Sequence, residues 1–163
     1  MLVEHVLDDR LSSVAEKERN AQAGANPAEG EKIEAEERKI DILLVEDDDA
    51  DAYIILEALK NIPKVNSVIR AYDGVDALEI VDARKFTPHL ALVDLSMPRK
   101  NGFALLAELK ARIMVDFPSV VLTSSHAEMD VFRAGKNGAW KYITKKDKIH
   151  MMAQSLRRII KKI

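Results

Sequence analysis

From Ile40 onward, the chain alternates between short apolar runs and longer segments with helical periodicity. The apolar runs cover residues 40–45, 67–71, 89–93, 120–123 and 140–143. Between and after them, segments near 48–60, 74–84, 102–112, 126–136 and 147–162 have the pattern of amphipathic helices. The pattern therefore predicts five strands, each followed by a helix.

Strands that are nearly all apolar and are separated by helices form a parallel sheet with helices on both faces. Five such units predict an α/β fold with a doubly wound, five-stranded parallel sheet of flavodoxin-like type and strand order 2-1-3-4-5. Polar residues that cap helix N-termini support the helix assignments: Asp73, Asn101 and Ser125 each precede a predicted helix.

Residues 1–39 differ from the rest of the chain in charge and in pattern. They have a net charge of −4, whereas residues 40–163 have a net charge of +2. Residues 21–30 are rich in small residues and suggest a flexible linker. Before that linker, helical spacing relates Val3, Val6, Leu7, Leu11 and Val14. We predict an N-terminal extension at 1–39, in which residues 1–20 form either a frayed tail or a short docking or dimerising helix, and a domain at 40–163.

The composition excludes several kinds of chemistry. The chain has no cysteine and four dispersed histidines, so disulfides, thiolate metal sites and cysteine nucleophiles are excluded. It contains no run of about 18 apolar residues that could span a membrane, and Met1–Arg10 lacks the pattern of a signal peptide. We expect a cytoplasmic protein. The basic end of the last helix complements the helix dipole, so we expect no nucleic-acid partner.

Polar side chains follow four of the five predicted strands. Glu46 and Asp47 follow the first strand, Asp94 follows the third, Thr123 ends the fourth and Lys145 follows the fifth. In an open parallel sheet these positions share one edge, where ligands bind. The turn after the second strand is interpreted as structural, and Asp48, Asp49 and Asp51 as a cap and dipole partners of the first helix.

Three neighbouring carboxylates repel one another unless one is protonated or a cation lies among them. Oxygen ligands with room for water suit Mg²⁺. A metal beside a free carboxylate suits phosphoryl transfer, in which Asp94 can act as the nucleophile. Lys145 and Thr123 could then contact phosphoryl oxygens.

Four short motifs, each at a strand end, together resemble a known family. They are Ile-Leu-Leu-Val45-Glu-Asp-Asp, Val93-Asp-Leu-Ser-Met-Pro98 with Gly102 eight residues after Asp94, Val-Leu-Thr123 and Tyr142-Ile-Thr-Lys145. In this order they are similar to the receiver domain of two-component response regulators. The resemblance covers essentially all of residues 40–163.

The resemblance implies a role for each matching site residue. Asp94 would accept a phosphoryl group from the phosphohistidine of a sensor histidine kinase or a histidine phosphotransfer protein. Asp94 and Asp47 would bind Mg²⁺ directly, Glu46 would act through water, and Ser96 would contribute its backbone carbonyl. The chain would be a phosphoacceptor that assists its own phosphorylation and dephosphorylation, rather than an enzyme.

The resemblance also implies a switch. Thr123 and Lys145 would bind the phosphoryl oxygens, and Tyr142 would turn inward when Thr123 is drawn to the phosphate. The signal would leave through the face of helix 4, strand 5 and helix 5, by partner binding, dimerisation or onward phosphorelay. A homodimer could form through that face or through the N-terminal helix.

One position departs from the family pattern. The family's lysine is usually followed by proline, whereas Lys146 follows Lys145 here. With a non-proline residue at this position and no expected output domain, the chain is similar to the single-domain regulators that partner bacterial phytochromes. The alternative function is a phosphorylation-independent interaction module that docks through residues 1–20 and Trp140, the tryptophan of the predicted edge strand.

Overall fold

The computed structural model describes residues 38–83, 86–112, 115–125, 127–145 and 148–163. Strands and helices alternate throughout this part of the chain. In order, they are β1 Ile40–Val45, α1 Asp49–Lys60, β2 Val65–Ala71, α2 Gly74–Asp82, β3 Leu90–Val93, α3 Gly102–Ala111, β4 Ser119–Thr123, α4 Glu128–Lys136, β5 Ala139–Thr144 and α5 Ile149–Ile160.

The five strands form one sheet in the order β2-β1-β3-β4-β5, and every pair of neighbours is parallel. The predicted flavodoxin-like fold and strand order are therefore confirmed. The two edge strands are β2 and β5. The central strands β3 and β4 are buried along their full length, as expected for a sheet that helices cover on both sides.

Two apolar layers hold the helices on the sheet. On one face, α1 and α5 pack through side chains that include Ile55, Leu59 and Leu156. On the other face, α2, α3 and α4 pack through a second cluster that includes Leu105 and Leu106. Burial of these apolar surfaces is the main stabilising contribution to the fold.

Three of the helices begin with side-chain caps. Asp48 caps α1, Asp73 caps α2 and Asn101 caps α3, each by accepting a hydrogen bond from a backbone N–H of the first turn. The prediction that Ser125 caps the next helix is wrong, because α4 begins at Glu128 rather than at 126 and its cap position is Ala127. The Ser125 hydroxyl instead accepts from the Ala127 N–H and donates to the Asp130 carboxylate.

The predicted element bounds differ from the observed ones by a few residues. For example, β2 begins two residues earlier than predicted, at Val65, and α5 begins two residues later, at Ile149. The predicted N-terminal helix and linker lie outside the described residues. Among those that are described, no helix has the length and apolar character needed to cross a membrane.

Candidate functional site

The parallel register brings the predicted site residues to one edge of the sheet. Val45 is paired with Val93, and the Asp94 N–H donates to the Val45 carbonyl at 2.9 Å. Between the ends of β4 and β5, the Lys145 N–H donates to the Thr123 carbonyl at 2.8 Å. The backbone hydrogen bonds of the sheet therefore extend to the residues that carry the site.

Three carboxylates form an acidic cluster at this edge. Oxygens of Glu46, Asp47 and Asp94 lie within 4.8 Å of one another. Glu46 and Asp94 are 1% and 5% exposed, so two of the negative charges are almost removed from water. Buried charges are costly unless a cation or hydrogen bonds compensate them.

The Lys145 ammonium contacts three carboxylates. Its Nζ lies 2.7 Å from Asp51 Oδ2, 2.8 Å from Glu46 Oε2 and 3.5 Å from Asp94 Oδ1. The nearest oxygen thus belongs to Asp51, which the sequence analysis treated as a dipole partner of α1. Sequence reasoning missed this contact, since nothing in the local pattern around Asp51 points to a residue 94 positions away.

Burial and these ion pairs shift the pKa values of the cluster. Burial raises the pKa of Glu46 to about 7, although Lys145 opposes the shift. Burial also raises the pKa of Asp94, again against the effect of Lys145. For Lys145, burial lowers the pKa, but the carboxylates of Asp51 and Glu46 outweigh it and leave the pKa above its usual value. The site therefore contains carboxyl groups that favour an additional cation when they are ionised.

The donor set fits a divalent cation. Its side-chain ligands are all oxygen atoms, which is the preference of Mg²⁺ and Mn²⁺. Glu46 Oε2 is buried and lies 2.8 Å from Lys145 Nζ. A carboxylate oxygen can accept more than one contact, so this oxygen can also bind a metal ion or a water molecule on that ion.

Thr123 and Tyr142 lie on the β4–β5 side of the site. Thr123 is 1% exposed, and its hydroxyl accepts from the Ser125 N–H at 3.2 Å. Tyr142 is half-buried, and its hydroxyl donates to the Ser125 carbonyl at 2.9 Å. The loop after β4 is thus linked to both side chains, so a displacement of this loop would break or move the hydrogen bond of Tyr142.

The loop that follows Asp94 requires a glycine at position 102. A Cβ on Gly102 would lie 2.1 Å from the Asp94 carbonyl oxygen, which no side chain tolerates. The Gly102 N–H donates to the Leu95 carbonyl and closes this loop. Ser96, whose carbonyl was predicted as a metal ligand, lies in the loop and is exposed. Lys146, the departure from the family pattern, lies outside the described residues.

Apolar side chains are exposed on α4 and β5. Met129 is 66% exposed, Phe132 is 59% exposed and Trp140 is 39% exposed. Lys136 lies over the Phe132 ring and Lys141 over the Trp140 ring. We call Met129, Phe132 and Trp140 the α4–β5 surface. It lies on two of the three elements, α4, β5 and α5, that form the predicted output face.

Comparison with known proteins identifies the class that this fold and site define. Residues 42–157 match the family model of the response regulator receiver domain. The chain belongs to this family, and thus to the receiver domains of response regulators in two-component signalling.

One similar protein is the response regulator Rcp1 of Synechocystis sp. The two chains are 36% identical over 110 residues, which cover 64% of this chain and 75% of Rcp1.

Two solved structures have the same fold. The phosphorylated cyanobacterial phytochrome response regulator RcpA is 34% identical, with a TM-score of 0.68, and the match covers 74% of this chain and 91% of that one. The Mn²⁺-bound form of Rcp1 is 32% identical, with a TM-score of 0.65 and the same coverage. These matches confirm the predicted family and fold.

Proposed function

We propose that this chain is a phosphorylation switch in which Asp94 accepts a phosphoryl group. The observation that carries the proposal is the convergence of five side chains at one sheet edge: Asp94, the acidic pair Glu46 and Asp47, the Thr123 hydroxyl and the Lys145 ammonium. This combination provides a nucleophile, ligands for a cation and two groups that can bind phosphoryl oxygens.

Glu46, Asp47, Asp94 and the Ser96 carbonyl would hold Mg²⁺. When bound, this ion neutralises charge on the phosphoryl oxygens and lowers the repulsion between the donor and Asp94. Three carboxylate oxygens that lie within 4.8 Å of one another support this assignment. The same arrangement explains why two buried carboxyl groups are tolerated here.

The proposed reaction moves one phosphoryl group. A carboxylate oxygen of Asp94 attacks phosphorus, and the O–P bond forms while the P–N bond to the donor's imidazole breaks. The electron pair of that bond returns to the imidazole nitrogen. Lys145, already 3.5 Å from Asp94, stabilises the negative charge of the transferred oxygens, and the Thr123 hydroxyl donates to another of them.

The phosphoryl group would be read out on the β4–β5 side. Moving the Thr123 hydroxyl toward the phosphate removes the acceptor of the Ser125 N–H, and Ser125 is also the residue that holds the Tyr142 hydroxyl. Tyr142 would then turn inward, and the face of α4, β5 and α5 would change. The output would be partner binding, dimerisation or onward phosphorelay.

We propose a sensor histidine kinase or a histidine phosphotransfer protein as the phosphodonor. The identity to RcpA, a phytochrome response regulator, favours a kinase of the phytochrome type. The amino-acid identity of 36% to the response regulator Rcp1 supports the same proposal.

Intact mass after incubation with acetyl phosphate tests the proposal. We expect one phosphoryl adduct in the presence of Mg²⁺, and none after chelation or in Asp94→Asn. Asp82→Asn is the matched control, because Asp82 ends α2 and pairs with Arg112 rather than with the site. It should be labelled like the unchanged protein.

Labelling of Asp94→Asn would show that another residue is the acceptor. If the unchanged protein is folded and binds Mg²⁺ but is not labelled, the proposed switch function is wrong and the alternative function gains support. That alternative is a phosphorylation-independent interaction module, and the exposed α4–β5 surface is the observation that favours it.

A further inference from the structure

Arg70 is a charged residue of the edge strand β2 that turns toward the acidic site. It lies opposite Leu44 in the β1–β2 register, one residue before the strand ends. Its side chain is only 17% exposed, which is low for an arginine on an edge strand. The guanidinium lies against the loop between β1 and α1, which carries Glu46 and Asp47.

The guanidinium donates to two carbonyls of that loop and to the side chain of the first residue of α1. Nε donates to the Glu46 carbonyl at 2.9 Å, and Nη2 donates to the Asp47 carbonyl at 3.1 Å. Nη1 donates to Asp49 Oδ1 at 2.7 Å. The Tyr72 ring covers one face of the guanidinium, with its centroid 4.3 Å from Cζ. Hydrogen bonds at its edge and the ring on its face therefore hold Arg70 in place.

These contacts determine the orientation of the peptide between residues 46 and 47. The Nε–H and Nη2–H of one planar group bind two successive carbonyls, a geometry that arginine provides and lysine does not. Two further hydrogen bonds hold the same loop: the Glu46 N–H donates to the Ala71 carbonyl at 3.0 Å, and the Asp48 N–H donates to Glu46 Oε1 at 3.3 Å. Together they fix the backbone from which two of the three clustered carboxylates project.

We propose that Arg70 is a positioning residue for divalent-cation binding by Glu46 and Asp47. This inference rests on the proposed function, in which those carboxylates hold Mg²⁺. Arg70 acts through the backbone of the ligand-bearing loop and does not contact the ion. Its own positive charge repels a cation, so its contribution to metal affinity comes from holding the loop in place.

The charge of Arg70 and its positioning role predict opposite changes in Mg²⁺ affinity when the side chain is replaced, so the direction of the change tests the proposal. In Arg70→Met, the aliphatic part of the side chain remains and every donor and the charge are lost. Coulomb's law alone predicts tighter Mg²⁺ binding in this variant, because a nearby positive charge is gone. We expect Mg²⁺ binding to be about tenfold weaker, which is the usual effect of removing a group that orients metal ligands.

The measurement is titration of the full chain with MgCl2 by calorimetry. Arg70→Lys keeps the charge but not the planar fork, and it should also bind more weakly than the unchanged protein. The matched control is Arg112→Met, which removes another paired arginine, the partner of Asp82. This control should leave the Mg²⁺ affinity unchanged.

A second readout separates positioning from general damage. Labelling of Arg70→Met by acetyl phosphate should be slow at low Mg²⁺ and should recover at saturating Mg²⁺. Equal or tighter Mg²⁺ binding in Arg70→Met, with the unchanged protein binding Mg²⁺, would overturn the role of Arg70 alone. Absence of Mg²⁺ binding in the unchanged protein would instead overturn the proposed function, and this inference with it.

Discussion

The neighbouring helices α3 and α4 pack on the same face of the sheet but are held in different ways. In α3, Gly102, Leu105, Leu106 and Leu109 are buried, and Asn101 caps the N-terminus. In α4, all nine residues are described and only Ala134 is buried, and the cap position, Ala127, provides no side-chain hydrogen bond. The large apolar side chains of α4, Met129, Val131 and Phe132, are exposed, whereas the three leucines of α3 form part of the core.

Besides the apolar cluster that they share, α3 and α4 are joined by polar and electrostatic contacts. Lys110 donates to the Lys136 carbonyl at 2.9 Å, and the Arg133 guanidinium lies 4.3 Å from the centre of the Phe103 ring. Such contacts can be exchanged at lower cost than the burial of leucine side chains. The difference indicates that α3 is held more firmly on the sheet than α4. Under the proposed function, α3 would keep the loop carrying Asp94 in place, and α4 would be the helix that shifts on phosphorylation.

The largest expected effect comes from truncating one large apolar side chain in each helix. Leu106→Ala removes a residue that is 1% exposed and should lower the free energy of unfolding by about 2–5 kcal/mol. Phe132→Ala removes one that is 59% exposed and should change it by less than about 0.5 kcal/mol. Urea denaturation measures both. Similar losses in the two variants would contradict the contrast between the helices.

Alanine at one glycine of each helix should give changes of opposite sign. Gly102→Ala places a Cβ against the Asp94 carbonyl and should destabilise the fold by about 1–3 kcal/mol and slow phosphorylation. At Gly135, an added Cβ would have no described atom within 4 Å apart from its chain neighbours and the backbone of its own helix. Gly135→Ala should therefore stabilise α4, by up to about 1 kcal/mol. Thermal unfolding and acetyl phosphate labelling measure the pair, and destabilisation by Gly135→Ala would show that α4 packs more tightly than the structure indicates.

Exchanging the caps should have the smallest effect. Asn101→Ala removes the acceptor of the Ala104 N–H and should cost about 1 kcal/mol. Ala127→Ser adds a cap to α4 and should stabilise the protein by a smaller amount. Hydrogen exchange of the α4 amides should slow in Ala127→Ser. Unchanged exchange there would mean that the first turn needs no added cap, because the Asp130 N–H already donates to the Ala127 carbonyl at 3.0 Å.

The predicted fold and family were confirmed because their signals are local. An apolar run predicts a buried strand wherever it lies, and the polar residue that follows such a run is placed at the ligand-binding edge by the parallel topology. Glu46, Asp47 and Asp94 could be grouped on this basis, and the structure brings their carboxylates together. The individual roles of these residues stay predictions. The predicted cap role of Ser125 was wrong for a local reason, since α4 begins three residues after this good capping residue, at Glu128.

Other features depend on contacts that no local pattern encodes. The pairing of Lys145 with Asp51 joins residues 94 positions apart, and the clamp of Arg70 on the Glu46 carbonyl joins residues 24 positions apart. Both arise only after strand order has brought β2 and β5 to opposite sides of β1 and β3. Periodicity and strand ends specify which elements form and where polar groups collect. Which cation each carboxylate meets is decided by the packing of distant strands, because charge pairing in a folded chain depends on distance in space rather than along the sequence.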